Sequence, residues 1–443
     1  MEQEGKEIPV SKAGRAGRFL KTGINVGGIA LKHKVKQSLG GKPDEVAFQE
    51  QMATRLLEGM VKLRGTALKI LQLFSLDDSA LPEGMKKILA QSQYSVPPMS
   101  APLAVKVFTN DVGSSPDKVF DKFNPVAFRA ASLGQVHEAW IGDRRLAVKI
   151  QYPGAAESIA TDIKMAKKLA TTAINSLPKH MTNVEVAELD PYFKELEARL
   201  IEETDYRLEL QNGLFFKESC SGLDNVVFPN FYKEFSGRRV LTMDFISGTH
   251  LSEFLDLNPD YELKRKVAQT LYDFYEYQIH VLNTLNSDTH PGNFLILDDG
   301  KIGVLDFGSI KRIPNDVYKN FILTSQRNFG DDVEFANSVF YRLGFLLPGD
   351  TPEEVAHLSK AFIKMFRLGS LPFDYDEFNF NRPDWQDEIV ESGMELKGVK
   401  HVRGNKDLLF VSRTYFGLYT ILKTLDVPVK VHSKYRMAAI EKF

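Results

Sequence analysis

The stretch from Asp288 to Gly308, which reads DTHPGNFLILDDGKIGVLDFG, contains two polar motifs at a fixed spacing. It places Asn293 five residues after Asp288 and Asp306 thirteen residues after Asn293, with two short apolar runs around an Asp-Asp-Gly turn between them. In phosphoryl-transfer sites one Asp orients the attacking group, while an Asn and a second Asp hold the Mg²⁺ ions that bridge the phosphates. Asp, Asn, Gly and Pro also build ordinary turns, but the two motifs at these spacings predict a kinase-like site.

A lysine near the end of a predicted strand lies upstream of this stretch. The segment 146–150 reads LAVKI and follows a Gly-Asp turn, so 136–150 is predicted to form a β-hairpin. Lys149 can there set a point charge against a pair of phosphates. Its carboxylate partner is expected on a helix predicted over 192–212. The residues alone do not choose among the candidates there, which are Glu195, Glu197, Glu202 and Glu203.

The loop expected over the phosphates and the segment after Gly308 both depart from those of protein kinases. Arg129–Gln135 reads RAASLGQ, with one glycine where protein kinases carry three, and Cβ atoms keep such a backbone farther from phosphate. After Gly308 the sequence SIKRIP leads into the next predicted helix without a long activation segment or an Ala-Pro-Glu motif. A platform for docking peptides is therefore not predicted, and a protein substrate is disfavoured.

Together these motifs resemble the UbiB family of atypical kinase-like proteins, also called aarF-domain kinases, over residues 60–430. The matching pieces are Arg64–Gln72 (RGTALKILQ), Ala130–His137 (AASLGQVH), Ala147–Gly154 (AVKIQYPG), Glu203-Thr-Asp205 and the two motifs of Asp288–Gly308. The resemblance implies an α+β fold of the two-lobed protein-kinase type, with a β-rich N-lobe, a helical C-lobe and an N-terminal helical extension packed over the active site. The implied segments are a basic arm at 1–44, the extension at 45–110, an N-lobe with inserted helices at 111–246 and a C-lobe at 247–443.

The resemblance also implies a role for each matching residue. Lys149 would contact the nucleotide phosphates with Glu203 as its partner, and Asp288 would be the catalytic-loop aspartate. Asn293 and Asp306 would be the metal ligands, so the implied cofactors are ATP or ADP and Mg²⁺. The implied nucleotide-binding residues are Ala130, Ala131, Ser132, Gln135, Ala147, Lys149, Met243 and Phe245. Within this set the alanine-rich loop replaces a glycine-rich loop and weakens conventional phosphotransfer.

Two positions depart from the family pattern. In the family's Lys-x-Gly-Gln element Lys69 and Gln72 match, but Leu71 adds bulk where the family has Gly. Lys69, Gln72 and Asp205 are the residues implied on the substrate side, at the extension. Arg129 stands in place of the first Ala of the alanine-rich loop, and its guanidinium either reaches a phosphate or acidic headgroup or points to solvent.

Charge is unevenly spread along the 443 residues. Lys and Arg number 56 against 58 Asp and Glu, and the net charge of −2 argues against general nucleic-acid binding. Residues 1–42 carry +6, however, and the rest of the chain carries −8. The segment 12–42 is therefore either a contact with an anionic membrane surface or a solvated basic tail.

The compartment is expected to be reducing, because Cys220 is the single cysteine and no internal disulfide can form. The chain has no run of ~18 apolar residues that would span a membrane. Its N-terminus begins with acidic residues and lacks the apolar stretch of a signal peptide. The expected localisation is cytoplasmic, with the peripheral membrane contact through 12–42 left open.

The expected function is that of a Mg²⁺-dependent ATPase or a small-molecule or lipid kinase, which the family resemblance links to isoprenoid-quinone or other membrane-lipid metabolism. The DTHPGN form of the catalytic loop also resembles small-molecule kinases of the aminoglycoside and choline type. His290 in that loop either stiffens it or is a packed histidine. The alternatives are a pseudokinase that acts as a nucleotide-gated lipid- or protein-binding module, and a true protein kinase.

Overall fold

The computed structural model describes residues 98–131, 133–176, 189–326, 328–395 and 403–442, together with residues 51 and 54. These residues fall into two compact units. Unit 1 contains the described residues up to Leu210 and the segment Asn230–Phe245, and unit 2 contains Gln211–Pro229 and the described residues from Ile246 onward. The basic arm, most of the predicted extension, Lys69, Leu71, Gln72 and Ser132 lie outside the described residues.

Helices and strands are numbered here in chain order. The helices of the described residues are α1 Ala101–Val112, α2 Pro116–Val119, α3 Ala155–Ser176, α4 Leu189–Glu203, α5 Tyr206–Ser219, α6 Leu251–Asp256, α7 Tyr261–His280, α8 Asn315–Thr324, α9 Val333–Arg342, α10 Pro352–Ser370, α11 Pro383–Met394, α12 Lys406–Leu425 and α13 Lys434–Ile440. The strands are β1 Lys122–Phe123, β2 Arg129–Ala131, β3 Gly134–Ile141, β4 Arg144–Gln151, β5 Val226–Val227, β6 Val240–Asp244, β7 Thr284–Asn286, β8 Phe294–Ile296, β9 Ile302–Val304, β10 Ile310–Arg312, β11 Glu377–Phe378 and β12 Val429–Lys430.

Unit 1 is built on an antiparallel sheet in which β1, β3, β4 and β6 are neighbours in that order and β2 also pairs with β3. The hairpin predicted over 136–150 is confirmed as β3 and β4, which pair along their full length. Gly142 in their turn has a φ of 56°, a left-handed conformation that glycine adopts without a steric penalty.

The strand register divides unit 1 into two faces. Val136, Lys149 and Leu241 are cross-strand partners and share one face, because directly opposed residues of an antiparallel sheet point the same way. The neighbouring positions Ile150 and Val240 point to the other face, where they join Phe108 of α1 in a buried apolar cluster. Lys149 therefore points away from the face that α1 covers.

The helix predicted over 192–212 is wrong in one respect, because the structure divides it into α4 and α5. Thr204 Oγ1 donates to Ile201 O at 2.7 Å and closes the last turn of α4. Asp205 Oδ1 then accepts from Arg207 N at 3.1 Å, which is the hydrogen bond of an Asp at a helix start. Local side-chain bonds to the backbone thus end one helix and begin the next.

Unit 2 is mostly helical after residue 314, as predicted, and α7 lies at its centre. Asp260 begins α7 by accepting from Leu263 N at 2.7 Å, and the helix carries a long stripe of buried apolar side chains against which α12 and α13 pack. The predicted helix over 261–285 ends earlier, at His280. Asn283 has a φ of 46°, and the chain turns there into β7.

Small sheets position the two motif loops of unit 2. β7 pairs antiparallel with β10, while β8 and β9 form an antiparallel hairpin that β5 joins in parallel with β9. This hairpin confirms the prediction for 294–305, and Gly300 in its turn has a φ of 76°. Residues 288–293 run between β7 and β8, and residues 306–308 run between β9 and β10.

Candidate functional site

Lys149 and Glu209 form a buried ion pair in unit 1. Lys149 Nζ on β4 lies 2.8 Å from Glu209 Oε1 and 2.9 Å from its Oε2, and the two side chains are only 11% and 4% exposed. Nζ also lies 5.0 Å from the centre of the Tyr206 ring, within the range of a cation–π contact. Burying these charges is tolerated because each is paired, and the pair fixes the position of the ammonium group.

The partner predicted for Lys149, Glu203, is corrected to Glu209. Glu203 is the last residue of α4, whereas Glu209 lies in the new helix α5, one turn after Tyr206. The sequence does contain a signal for this residue. Positions 206, 209, 210, 213 and 216 follow helical spacing and are all buried, so Glu209 is a carboxylate set within an otherwise uncharged stripe. Such a residue needs a partner, and the alternatives at 195–203 belong to α4, which ends before this stripe begins.

Ala147 and Met243, two of the residues implied at the nucleotide, are cross-strand partners. They lie two positions from Lys149 and Leu241 on the same strands and therefore share the face of Lys149. Both are buried. This arrangement is compatible with the role that the resemblance gives them, which is to line the side of the sheet that carries the lysine.

Gln135, predicted to bind the nucleotide, has its side chain on the opposite face and fully buried. Its Oε1 accepts from Met99 N at 2.7 Å, and its Nε2 lies 2.8 Å from His137 Nε2. His137 Nδ1 in turn lies 2.9 Å from Asn124 O, and burial lowers the pKa of His137. The side chain of Gln135 is thus part of the internal packing of unit 1, and this arrangement gives no support to the contact with a nucleotide that was predicted for it.

The alanine-rich loop is an edge strand. Ala130 and Ala131 on β2 pair with Gln135 and Gly134 on β3. A Cβ atom on Gly134 would lie 2.9 Å from the carbonyl carbon of Ile150, so glycine is required for β3 to approach β4 this closely. Gly134, the single glycine of this segment, is therefore needed for the close pairing of β3 with β4. The pairing of β2 with β3 fixes the backbone conformation of Ala130 and Ala131.

Phe245 follows the last residue of β6, and its backbone amide is already in use. Phe245 N donates to Arg145 O at 3.0 Å, and Asp244 N donates to Asn230 O at 2.9 Å. The Phe245 ring packs edge-on against Phe128, and the Arg145 guanidinium lies 3.6 Å from its centre. A contact of this residue with a nucleotide would therefore be made by its ring or its carbonyl group rather than by its N–H.

In unit 2 the loops that carry Asp288, Asn293 and Asp306 are held together by hydrogen bonds. Ser287 N donates to Ser309 O at 2.8 Å, and Leu305 N donates to Asn293 O at 3.0 Å. Because these bonds link the backbones of both loops, the three predicted functional residues belong to one assembly within unit 2.

The side chains of these three residues provide oxygen atoms suited to Mg²⁺. Asn293 Nδ2 donates to Asp288 O at 3.1 Å, so its amide oxygen is the atom left for a metal. Asp306 Oδ1 accepts from Gly308 N at 2.8 Å, which orients the carboxylate. In the described part of the chain, no group of three or more His, Cys, Asp or Glu side chains could hold a metal. One amide and one carboxylate nonetheless fit Mg²⁺, which commonly takes one or two protein ligands and completes its shell with phosphate and water.

Phe307 and His290 stiffen the two loops. Phe307 is fully buried against Phe216 and Phe228, with ring centres 5.9 and 6.0 Å away, and Asn212 Nδ2 donates to its carbonyl at 2.9 Å. His290 Nδ1 accepts from Gly292 N at 3.0 Å, which caps the short 3₁₀ turn of 291–293. Of the two interpretations of His290, this hydrogen bond favours the loop-stiffening one.

Asp205 remains a candidate on the substrate side, but its carboxylate has a local role. Its oxygens accept from Arg207 Nε at 2.8 Å and Nη2 at 2.5 Å. These hydrogen bonds hold the pKa of Asp205 below its usual range. Lys69 and Gln72, its predicted companions, lie outside the described residues.

Comparison with known proteins identifies the family. A family model described as the ABC1 atypical kinase-like domain matches residues 91–334. The chain belongs to this family. The UbiB membership and the two-lobed, kinase-like α+β fold predicted from the sequence are thereby confirmed.

Individual relatives have low sequence identity to this chain. The probable serine/threonine-protein kinase abkA of Dictyostelium discoideum is 27% identical over 84% of this chain and 68% of its own length. The mitochondrial atypical kinase COQ8B of Danio rerio is 30% identical, but this chain spans only half of its length and aligns over 70% of its own. A solved Mycobacterium tuberculosis protein, Rv3197 in complex with erythromycin, shares the fold with a TM-score of 0.57 at 23% identity, covering 90% of this chain and 96% of that one.

No helix in the described ranges is both long enough and apolar enough to cross a membrane.

Proposed function

We propose that this chain binds Mg-ATP and acts as an ATPase or as a kinase of a small molecule or lipid. The observation that carries the proposal is the assembly of Asp288, Asn293 and Asp306 on two loops joined by backbone hydrogen bonds. Membership of an atypical kinase family supports it. The buried pair of Lys149 and Glu209 offers a fixed positive group of the kind that such chemistry uses on phosphates.

Each residue has a definite task in this proposal. Lys149 would contact the nucleotide phosphates, and Glu209 would hold its ammonium group in place. Asn293 and Asp306 would hold Mg²⁺, which neutralises charge on the phosphates when bound. Asp288 would accept the proton of the attacking hydroxyl or water through its carboxylate, whose orientation is set by the hydrogen bond from His290 N to Oδ1 at 3.2 Å.

The short connection after the Asp306-Phe-Gly motif favours a non-protein substrate. β10 begins at Ile310 and pairs at once with β7, and α8 begins at Asn315. The intervening residues are therefore committed to a strand and a turn rather than to a surface that could dock a peptide. We propose, from the family resemblance, that the substrate or partner belongs to the isoprenoid quinones or other membrane lipids, and that the chain works in the cytoplasm at a membrane surface.

The experiment is ATP binding and ATP hydrolysis by the full chain, with Mg²⁺ or EDTA, and with or without anionic liposomes. Asp306→Asn should reduce turnover at least 100-fold because it removes the charged metal ligand. Asp298→Asn is the matched control, since the same change falls on an exposed turn between β8 and β9. It should leave turnover within twofold of the wild type.

Two results would replace the proposal. Binding of Mg-ATP without turnover above the Asp306→Asn level, with and without liposomes, would indicate the pseudokinase alternative. The pairing of Ala130 and Ala131 with β3, with alanines where protein kinases have glycines, is the observation that favours that alternative. Phosphorylation of a generic protein that disappears in Lys149→Arg would instead indicate a true protein kinase.

A further inference from the structure

The side chain of Asn286 connects the two motif loops of unit 2. Asn286 is the last residue of β7 and is only 1% exposed. Its Nδ2 donates to Asp306 O at 2.7 Å, and its Oδ1 accepts from Asp288 N at 3.2 Å. One amide group is thus bonded at one end to the predicted catalytic aspartate and at the other end to the predicted metal ligand.

The backbone of Asn286 is anchored by a hydrogen bond to α7. Its backbone N donates to Gln278 Oε1 at 2.7 Å, and Gln278 is fully buried. Its strand pairs with β10, where Ile310 is its partner. Because the backbone of Asn286 is anchored by both α7 and β10, its side-chain amide has little freedom to move. The positions of the two loops that bond to this amide therefore depend on it.

This link differs in kind from the other links between the loops. The bonds from Ser287 N to Ser309 O and from Leu305 N to Asn293 O join backbone atoms, which most residue types would supply. The link through Asn286 requires a short side chain with a donor and an acceptor on the same group, a requirement that Asn meets at this reach. The residue identity at 286 therefore matters to the geometry of both loops.

We propose that Asn286 is a positioning residue that sets the separation of Asp288 and Asp306, and through it the affinity for metal-bound nucleotide. The inference rests on the proposed function, in which Asp306 holds Mg²⁺ and Asp288 orients the attacking group. Mg²⁺ demands nearly ideal octahedral geometry at about 2.0–2.1 Å. A loop that shifts by a fraction of that distance loses metal affinity, although no ligand has been removed.

The test compares Asn286→Ala and Asn286→Asp with Thr284→Val in the full chain. Asn286→Asp keeps the acceptor for Asp288 N but replaces the donor to Asp306 O with a charged carboxylate oxygen, so it breaks the link in a side chain of the same shape and remains informative where the alanine variant fails to fold. Thr284 lies two residues earlier on the same strand and is also buried, but its Oγ1 donates to Leu282 O at 3.0 Å and touches neither loop. Thr284→Val therefore controls for the loss of a buried hydrogen bond in β7.

The first measurement is the affinity for a fluorescent ATP analogue with Mg²⁺ and with EDTA. Both Asn286 variants should lose at least tenfold of the Mg²⁺-dependent gain in affinity while binding in EDTA within twofold of the wild type. Thr284→Val should match the wild type in both conditions. Equal weakening in Mg²⁺ and EDTA, or an equal effect of Thr284→Val, would overturn the proposal.

The second measurement does not need a nucleotide. Amide hydrogen exchange should quicken at least tenfold in 288–293 and 306–309 in the Asn286 variants, and stay at the wild-type rate there in Thr284→Val. If the wild type shows no Mg²⁺-dependent binding, the proposed function fails. The amide exchange rates in 288–293 and 306–309 then test the positioning role of Asn286 separately. Rates in the Asn286 variants equal to those of the wild type would reject that role.

Discussion

At the scale of single residues, the ion pair of Lys149 and Glu209 leads to a clear expectation for stability. Removing one partner of a buried pair leaves the other charge uncompensated and costs about 3 kcal/mol. Glu209→Gln should therefore lower the free energy of unfolding by about that amount, as measured by urea denaturation. Glu202→Gln, on an exposed position at the end of α4, is the control and should change it by less than about 0.5 kcal/mol. A large effect of Glu203→Gln together with none of Glu209→Gln would restore the original assignment.

Asp273 on α7 should make the free energy of unfolding decrease as the pH rises, which is opposite to the effect of most carboxyl groups. Burial raises the pKa of this carboxyl to about 6, with Glu276 adding to the rise while Gln269 and Lys434 oppose it. The native state therefore holds the proton more tightly than the unfolded chain, whose pKa is near 3.8. The contribution of this group to the free energy of unfolding is therefore largest below about pH 4. It decreases as the pH rises from about 4 to about 6, and above about pH 6 it stays at this lower, destabilising level.

Asp273→Asn should accordingly raise the melting temperature at pH 7.5 by roughly 2–4 °C, which corresponds to about 1 kcal/mol once partial exposure is allowed for. The gain should shrink at pH 4.5, because the wild-type carboxyl is then mostly protonated. Asp298→Asn, on an exposed turn, should show no such dependence. Scanning calorimetry at the two pH values decides the matter, and a gain of equal size at both would contradict the assignment.

The same residues show what a sequence can and cannot predict at this scale. Asp288, Asn293 and Asp306 could be proposed from the sequence because the chemistry expected of them depends on spacing within one local stretch. The face on which the Gln135 side chain lies could not be predicted, because it depends on the register of β3 against β4, which a motif does not specify.

At the scale of elements, the close approach of α12 to the loop that carries Asp288 provides a test. A Cβ atom on Gly417 would overlap Thr289 Oγ1 and lie 2.8 Å from Thr289 Cβ. A helical Gly→Ala change normally stabilises a protein by up to about 1 kcal/mol, but here the added methyl group would push the loop beside Asp288. Gly417→Ala should therefore reduce ATP turnover at least tenfold.

Gly369→Ala is the matched control for this effect. Gly369 is also helical, on α10, and no atom within 4 Å would meet an added Cβ. This variant should keep wild-type turnover and melt at the same temperature or slightly higher. Wild-type turnover in Gly417→Ala would show that the loop tolerates the displacement.

Elements bounded by strong local signals were predicted well. Both hairpins followed from alternating apolar residues and Gly-containing turns, which act over a few residues. The break between α4 and α5 was missed because the apolar pattern continues through it, while Asp205 and Thr204 divert the backbone with their own hydrogen bonds. The assignment of Glu203 as the partner of Lys149 failed with it, since the actual partner, Glu209, lies in the helix after the break.

At the scale of the whole molecule, the division into units combines segments that are distant in sequence. Unit 2 includes Gln211–Pro229 as well as the chain from Ile246 onward. Part of the reason is visible in β5, which pairs with β9 about 75 residues later. Composition along the sequence does not reveal pairings between distant strands. The continuous segments expected from the sequence therefore could not assign Gln211–Pro229 to the same unit as the chain from Ile246 onward.

The charge distribution supplies the prediction that belongs to the entire chain. Residues 1–42 carry +6 against −8 for the remainder, although the net charge is only −2. Basic residues near an anionic bilayer contribute about 1 kcal/mol each, so a chain that starts at residue 43 should bind phosphatidylserine-containing liposomes at least tenfold more weakly than the full chain. Cosedimentation measures this, with pure phosphatidylcholine liposomes as the control to which neither chain should bind strongly. Binding by the full chain should also weaken as salt is raised, since screening shortens the reach of these charges. Equal binding of the two chains would leave 12–42 as a solvated tail, and the membrane contact proposed for this protein would have to come from elsewhere on its surface.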